Sequence, residues 1–398
     1  MKILWVKSDF LHPTERGGQI RTLETLRRLH QRHEIHYVAY ENAAFPEGLA
    51  RASEYATRAY PLEHHVPSHR SPAFAAQVAA GLFAALPVAI SRYRSAAMTA
   101  KIAELTRTLG CDRLVCDFAA PAANIPNLGD WIVFQHNVET MIWRRHHESA
   151  PDPLRKFYFG LQANRMFAFE RHVCTQAGHI IAVSREDAET MRQLFGATRI
   201  SHVPTGVDTE RFVPPPASPA VADLVFIGAM DWMPNMDGIR YFVREILPLV
   251  RRRRPEVTLA IVGRTPPPAI EALAADDPKI TVTGTVPDVR PYLWGAQVSI
   301  VPLRIGGGTR LKIYEAMAAR VPVVSTPIGA EGLEVRDPEN IRLADGPESF
   351  AGACVELLED SAARARLAAA GAELVTSRFS WEMVSRAFEE ILERGLRG

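Results

Sequence analysis

Short apolar runs alternate with helix-patterned stretches along almost the whole chain. Ile3–Val6 is followed by QIRTLETLRRLHQ over 19–31, whose apolar positions 20, 23, 26 and 29 fall on one helical face. EIHYVAY, RLVCDF, WIVFQHN and HIIAVS continue the series as strands. After residue 220 it restarts with DLVFIGAM, TLAIVG, ITVTG, VSIVPL and VPVVST, separated by segments such as GIRYFVREILPLV. Near-continuous apolar strands between amphipathic helices predict α/β architecture with parallel sheets covered on both faces.

Between the two series lies VPPPASPA, 213–220, rich in Pro and without apolar periodicity, which reads as a linker. The chain then divides into a first domain over 1–213, a linker over 214–220 and a second domain over 221–377, with a separate amphipathic helix over 378–398. Two doubly wound Rossmann-like domains imply an interdomain cleft, with ligands at the carboxyl ends of the strands.

Composition narrows the classes. At about 150 residues per domain, 398 residues make two to three domains. Lys plus Arg is 46 against 45 acids, a net charge of +1, so no global pull on nucleic acid is expected. Four cysteines without finger spacing predict reduced thiols and a cytoplasmic protein, and no metal site. The start, MKILWVKSDF, reads as a buried strand rather than a signal peptide. The most apolar window, Ala73–Ile90, is interrupted by Gln77 and Pro87 and reads either as a core helix or as an interfacial one.

The strongest chemical signal is VPLRIGGGTRLKIYEAMAARVPVVSTPIGAEGL, 301–333. A strand ends at Leu303, Gly306, Gly307 and Gly308 turn the chain, and a helix is predicted from Thr309 to Ala319. Glycines allow close backbone approach, and a helix N-terminus offers unpaired N–H groups to anionic oxygens. Arg310 and Lys312 add cations suited to a diphosphate, and Glu315 is placed to accept from ribose hydroxyls. The bland alternative is an exposed Lys312–Glu315 pair on an ordinary helix.

This segment resembles the signature region of the retaining glycosyltransferases of family four, which have the GT-B fold. PTERGGQIRTLETLRRL resembles the family's Gly-Gly loop and first helix, and AVSREDAETMRQLFG with ISHVPTGVDTERFVPP resembles its interdomain signature. GTVPDVRPYLWGAQVSIVPL matches its approach to the nucleotide pocket, and GGGTRLK with QHNVE is similar to exopolysaccharide-type sugar transferases. The resemblance implies that Gly17 and Gly18 approach the donor diphosphate and that His136 contacts the transferred sugar. It also implies that Glu315 holds the ribose, that backbone near Val286 reads the base, and that the terminal helix crosses back to the first domain.

Two departures stand out. Gly307 occupies the place of the family's first motif acid, and Ala229 and Asp237 occupy the places of its usual diphosphate cations. Arg310 and Lys312 are therefore expected to replace those cations, with Gly307, Gly308 and Thr309 lining the donor, and His136, Arg310 and Lys312 form the expected catalytic set. Asp231 or Glu331 is a candidate for the missing acid.

The reaction implied is transfer of a sugar from a nucleotide diphosphate sugar to a glycan or lipid-linked acceptor, with no metal or other cofactor. Cytoplasmic action is expected, and association with the inner face of the membrane stays open, since the basic and aromatic stretch 143–159 fits an anionic membrane or an ordinary surface equally. A non-catalytic nucleotide-sugar-binding subunit and a sugar-nucleotide epimerase of the same fold are the alternatives. A nicotinamide-dependent oxidoreductase is disfavoured because KSDFLHPTERGGQ lacks GxGxxG.

Overall fold

The computed structural model describes residues 1–14, 17–64, 71–72, 81–82, 84–150, 152–217, 219–305 and 311–395. Gly306, Gly307, Gly308, Thr309 and Arg310, and half of Ala73–Ile90, lie outside them. The chain forms two compact units, Met1–Thr205 with Val384–Gly398, and Gly206–Met383. The change of unit at Thr205 precedes the Pro-rich stretch, and Val384 onward belongs to the first unit.

In the first unit β1 (Lys2–Val6), β2 (Glu34–Glu41), β3 (Arg58–Glu63), β4 (Arg113–Asp117), β5 (Trp131–Gln135), β6 (His179–Ala182) and β7 (Ile200–His202) form one parallel sheet. Its order is β3-β2-β1-β4-β5-β6-β7. Ile3 pairs with Ile35 of β2 on one side and with Arg113 of β4 on the other, so the order reverses beside β1. That reversal opens a crevice at the carboxyl ends of β1 and β4.

Helix α1 (Gly17–Leu29) begins at the paired glycines, two residues before the predicted start, and buries Leu23, Leu26 and Leu29. Farther along, Ser184 Oγ accepts from the Asp187 amide at 2.9 Å and caps the helix Arg185–Phe195, which Gly196 ends at φ +72°.

The second unit holds β8 (Ala222–Ile227), β9 (Leu259–Val262), β10 (Ile280–Val282), β11 (Ala296–Val301), β12 (Val323–Ser325) and β13 (Arg342–Leu343). All pairings are parallel, in the order β10-β9-β8-β11-β12-β13. Its reversal lies beside β8, between the β8 and β11 loops. The stretch expected as one helix over GIRYFVREILPLV carries a wider π turn at Phe242–Ile246. Pro248, two residues beyond its end, has no N–H with which to continue the regular ladder.

The terminal helix Trp381–Arg394 completes the first unit's core. Phe388 is fully buried there, 5.6 Å from Trp5 and 5.0 Å from Phe134 between ring centroids. Among the described residues no helix is long and apolar enough to cross a membrane.

Candidate active site

At the first unit's reversal point, polar side chains close apolar strands. Lys7 follows β1, Asp117 ends β4 and His136 follows β5. All three are buried, as are Arg21 and Thr22 of α1 and Thr205.

Asp117 is the hub of this cluster. Oδ1 accepts from His136 Nε2 at 2.7 Å. Oδ2 accepts from Trp5 Nε1 at 3.0 Å and from Thr22 Oγ1 at 2.7 Å, and Lys7 Nζ lies 3.3 Å away. Burial opposes ionisation, but Lys7 and His136 outweigh it and hold the carboxyl well below the usual carboxylate range.

His136 is 3% exposed. Its Nδ1 accepts from Arg21 Nη1 at 3.0 Å, so the imidazole is neutral with its proton on Nε2. Burial holds its pKa far below the ordinary value, against the pull of Asp117. Arg21 reaches onward to donate to Thr205 Oγ1. Burial lowers the guanidinium to about 10, and Asp117 and Asp187 resist that fall.

Phe118 ties the cluster to the glycine turn. Its ring lies flat on His136, centroids 3.9 Å apart and planes 4° from parallel, with Lys7 Nζ over it at 4.0 Å from the centroid. To reach there its backbone takes φ +77°, a costly conformation for a side chain with Cβ. A Cβ on Gly18 would stand 2.5 Å from Phe118 Cζ and 3.5 Å from His136 Nδ1. Gly18 is therefore required by close packing, and it shares one locus with His136. Gly17 opens α1 beside it.

The His136 loop leads into the helix Glu139–Glu148, whose N-terminus is capped from another helix, Pro153–Gln176. Glu170 Oε1 accepts from the Glu139 amide at 2.9 Å, and Oε2 from the Thr140 amide and hydroxyl at 2.7 and 2.5 Å. Burial pushes this carboxyl up to about 7, with the Thr140 and Glu139 donors opposing.

The second unit has its own constellation at the β8 and β11 loops. Lys312, in the helix Leu311–Ala318, donates from Nζ to Asn235 Oδ1 at 2.7 Å and lies over the Phe226 ring at 4.6 Å. A Cβ on Gly228 would stand 2.8 Å from Lys312 Nζ, and one on Gly263 only 1.8 Å from the Gly228 carbonyl oxygen. The loops after β8 and β9 thus meet beside the Lys312 ammonium, next to the place where Ala229 stands for a family cation.

Asp237 is bound by Arg304 of the loop after β11, through Nε at 3.0 Å and Nη2 at 2.7 Å. Glu315 is half-buried one turn after Lys312. Burial raises its pKa, with Lys312 and Arg211 opposing. Val286 lies half-buried in the loop after β10 and packs on the second core. Asp231 lies 3.5 Å from Arg264 Nε, and Glu331 is exposed. Among the described residues no group of three or more His, Cys, Asp or Glu is placed to hold a metal ion.

The structure therefore groups Gly17, Gly18 and His136 in the first unit, and Lys312 and Glu315 in the second. Gly307, Gly308, Thr309 and Arg310 lie outside the described residues. Sequence reasoning missed Lys7, Arg21, Asp117, Asn235 and Arg304. The available signal was a charged residue closing an apolar strand, as in KILWVK and RLVCD.

The sequence description Glycosyltransferase Family 4 matches residues 16–211, and Glycosyl transferases group 1 matches 222–360. The D-inositol 3-phosphate glycosyltransferase of Xylanimonas cellulosilytica is 32% identical over 251 residues, 56% of this chain and 58% of that protein. The GDP-mannose-dependent alpha-(1-6)-phosphatidylinositol monomannoside mannosyltransferase of Mycolicibacterium smegmatis is 27% identical over 244 residues, 56% of this chain and 64% of that protein. The chain thus spans under two thirds of the length of these curated relatives.

Among solved structures, Anabaena HepE in complex with UDP and glucose shares the fold, with a TM-score of 0.67 at 14% identity over 99% of this chain and 100% of that one. Two family matches running from residue 16 to residue 360, over two parallel sheets of GT-B type, show that this chain belongs to the family-four, group 1 glycosyltransferases.

Proposed function

We propose that the protein transfers a glycosyl unit from a nucleotide diphosphate sugar to an acceptor hydroxyl, with retention at the anomeric carbon. The observation that carries this reading is Lys312 held by Asn235 over Gly228, a cation at the β8 loop, where the usual family cations are missing. As the bond from the anomeric carbon to the diphosphate oxygen breaks, negative charge grows on the diphosphate. Lys312, with Arg310 and the backbone of Gly307, Gly308 and Thr309, stabilises it. The acceptor oxygen bonds to the same face of the sugar and passes its proton to the leaving diphosphate. Glu315 binds the ribose, and backbone near Val286 reads the base.

In this reading transfer needs no dedicated metal. Gly17 and Gly18 approach the diphosphate, and His136 orients the sugar-facing loop. Both of its ring nitrogens are engaged within the first unit, which favours that positioning role over an acid–base role. The acceptor is a glycan or a lipid-linked sugar of exopolysaccharide or cell-surface synthesis. The names of the two curated relatives add polyol phosphates and phosphatidylinositol mannosides as acceptor classes to try. Four free cysteines suit action in a reducing cytoplasm, at the inner face of the membrane when the acceptor is lipid-linked.

A panel including GDP-mannose and UDP-glucose, read by thermal shift and then by release of nucleotide diphosphate on adding acceptor, tests the reading. One donor should stabilise the protein, by about 2.7 kcal/mol at 100 Kd, and Lys312→Ala should weaken its binding at least tenfold. Chelator should leave turnover unchanged. Binding without turnover would make the protein a non-catalytic subunit, and turnover without acceptor would make it an epimerase.

A further inference from the structure

We propose that the helical hairpin of the first unit formed by Glu139–Glu148 and the start of Pro153–Gln176 docks on the surface of an anionic lipid bilayer. Residues 153–157, PLRKF, are exposed on every side. Leu154 at 78% and Phe157 at 67% are the most exposed large hydrophobic side chains among the described residues. Spaced i, i+3, they share one helix face.

This tip is built, not frayed. Asp152 caps the helix by accepting from the Arg155 amide at 2.9 Å. His147 Nδ1 donates to the Lys156 carbonyl at 2.7 Å and fits against Gly160, where a Cβ would stand 3.0 Å away. Trp143, His146 and Phe159 close the angle between the helices, with centroids 5.6 to 6.2 Å apart. Leu154 and Phe157 point outward on a scaffold that does not need them.

Charge selects the occupant. Between 143 and 159 stand Arg144, Arg145, Arg155 and Lys156 against Glu148 and Asp152, a net +2 in a chain whose total is +1. The apolar window ending at Ile90 meets the same helix. Arg165 donates to the carbonyls of Gly81 and Leu82, and Gln162 Oε1 accepts from the Val88 amide at 2.9 Å. Leu82 is exposed there as well. An RNA or an acidic protein would engage the cations and leave Leu154 in water. A bilayer with anionic headgroups takes both, because basic side chains reach phosphates while short apolar ones enter the acyl boundary.

The proposal deepens the lipid-linked acceptor of the preceding reading and is measured without turnover. Purified protein is sedimented with phosphatidylcholine vesicles with and without phosphatidylglycerol. Binding is expected only with phosphatidylglycerol, and it should weaken as salt is raised. Leu154→Ser with Phe157→Ser, and separately Arg155→Gln with Lys156→Gln, should each weaken it about tenfold or more. Melting temperature and donor binding should stay unchanged in both variants.

Equal vesicle binding by wild type and the Leu154→Ser/Phe157→Ser variant overturns the proposal, as does no vesicle binding at all. Self-association of wild type that this variant abolishes would assign the face to a second copy and overturn it too. Failed vesicle binding with intact transfer sinks only this inference, and absent transfer with intact vesicle binding sinks only the preceding one.

Discussion

His136 donates from Nε2 to Asp117 Oδ1 at 2.7 Å, joining the carboxyl ends of two neighbouring strands. Because Arg21 occupies Nδ1, the same imidazole also fixes the first helix after the glycine turn. One ring thus sets the spacing of α1, β4 and β5 where the sheet order reverses.

Asp117→Asn removes the charge facing Lys7, which is 2% exposed, and turns one of the two acceptor oxygens into an NH2 that faces a donor. An uncompensated buried ammonium should lower unfolding free energy by about 3–5 kcal/mol in urea. Adding Lys7→Met to the same chain should return more than half of that loss. A double variant as unstable as Asp117→Asn alone would show that Lys7 is not the cause.

Phe118 offers a backbone test. Phe118→Ala and Phe118→Gly both lose the stack on His136, but only Gly tolerates φ +77° without strain. The Gly variant should be the more stable by about 1 kcal/mol or more. The opposite order in denaturant midpoints would mean the turn relaxes when the ring is gone.

Two buried groups pull stability in opposite directions with pH. Burial keeps His136 well below its ordinary 6.5, so below that pH the unfolded chain gains a proton that the folded one refuses, and stability falls as pH falls. Glu170 is raised from 4.5 to about 7, so the folded state keeps a proton there, and its contribution falls as pH rises through that window. Glu170→Gln removes the second slope. Its unfolding free energy, measured in urea, should therefore rise with pH between 4.5 and 6.5 more steeply than the wild type's, by up to about 1.4 kcal/mol per pH unit.

Asn235 is predicted to act through Lys312. Asn235→Ala should raise the donor KM about fivefold by loosening the hold on the ammonium, whereas Asn235→Asp should raise it further by neutralising it. Asn235→Gln should be milder than either. Steady-state kinetics with kcat held near wild type would support this, and a fall in kcat alone would point to a different role.

The fold was largely legible because its strands are short apolar runs buried on both faces, so VCD, IVF and LVFI stand out against amphipathic helices. Lys312 was legible as a cation beside a glycine turn. Its partner Asn235 was not, since 77 residues separate them and only the sheet order joins their loops. Lys7 and Asp117 were hidden for a related reason. Each looked like the polar residue that ends a strand, and their pairing depends on β1 and β4 lying side by side across more than a hundred residues. Arg21 fell within a helix whose apolar stripe drew attention to Leu23 and Leu26 instead. A buried Arg on such a stripe is informative only once its acceptors are known.

The terminal helix has a consequence for the order of synthesis. Phe388, enclosed by Trp5 and Phe134, comes from a segment translated after the whole of Gly206–Met383. While the second unit is being made, the first still lacks a wall of its core. The amino-terminal sheet must wait, with apolar surface uncovered, for residues that leave the exit tunnel nearly two hundred positions later. It is the half of the nascent chain with the longer need of chaperone cover.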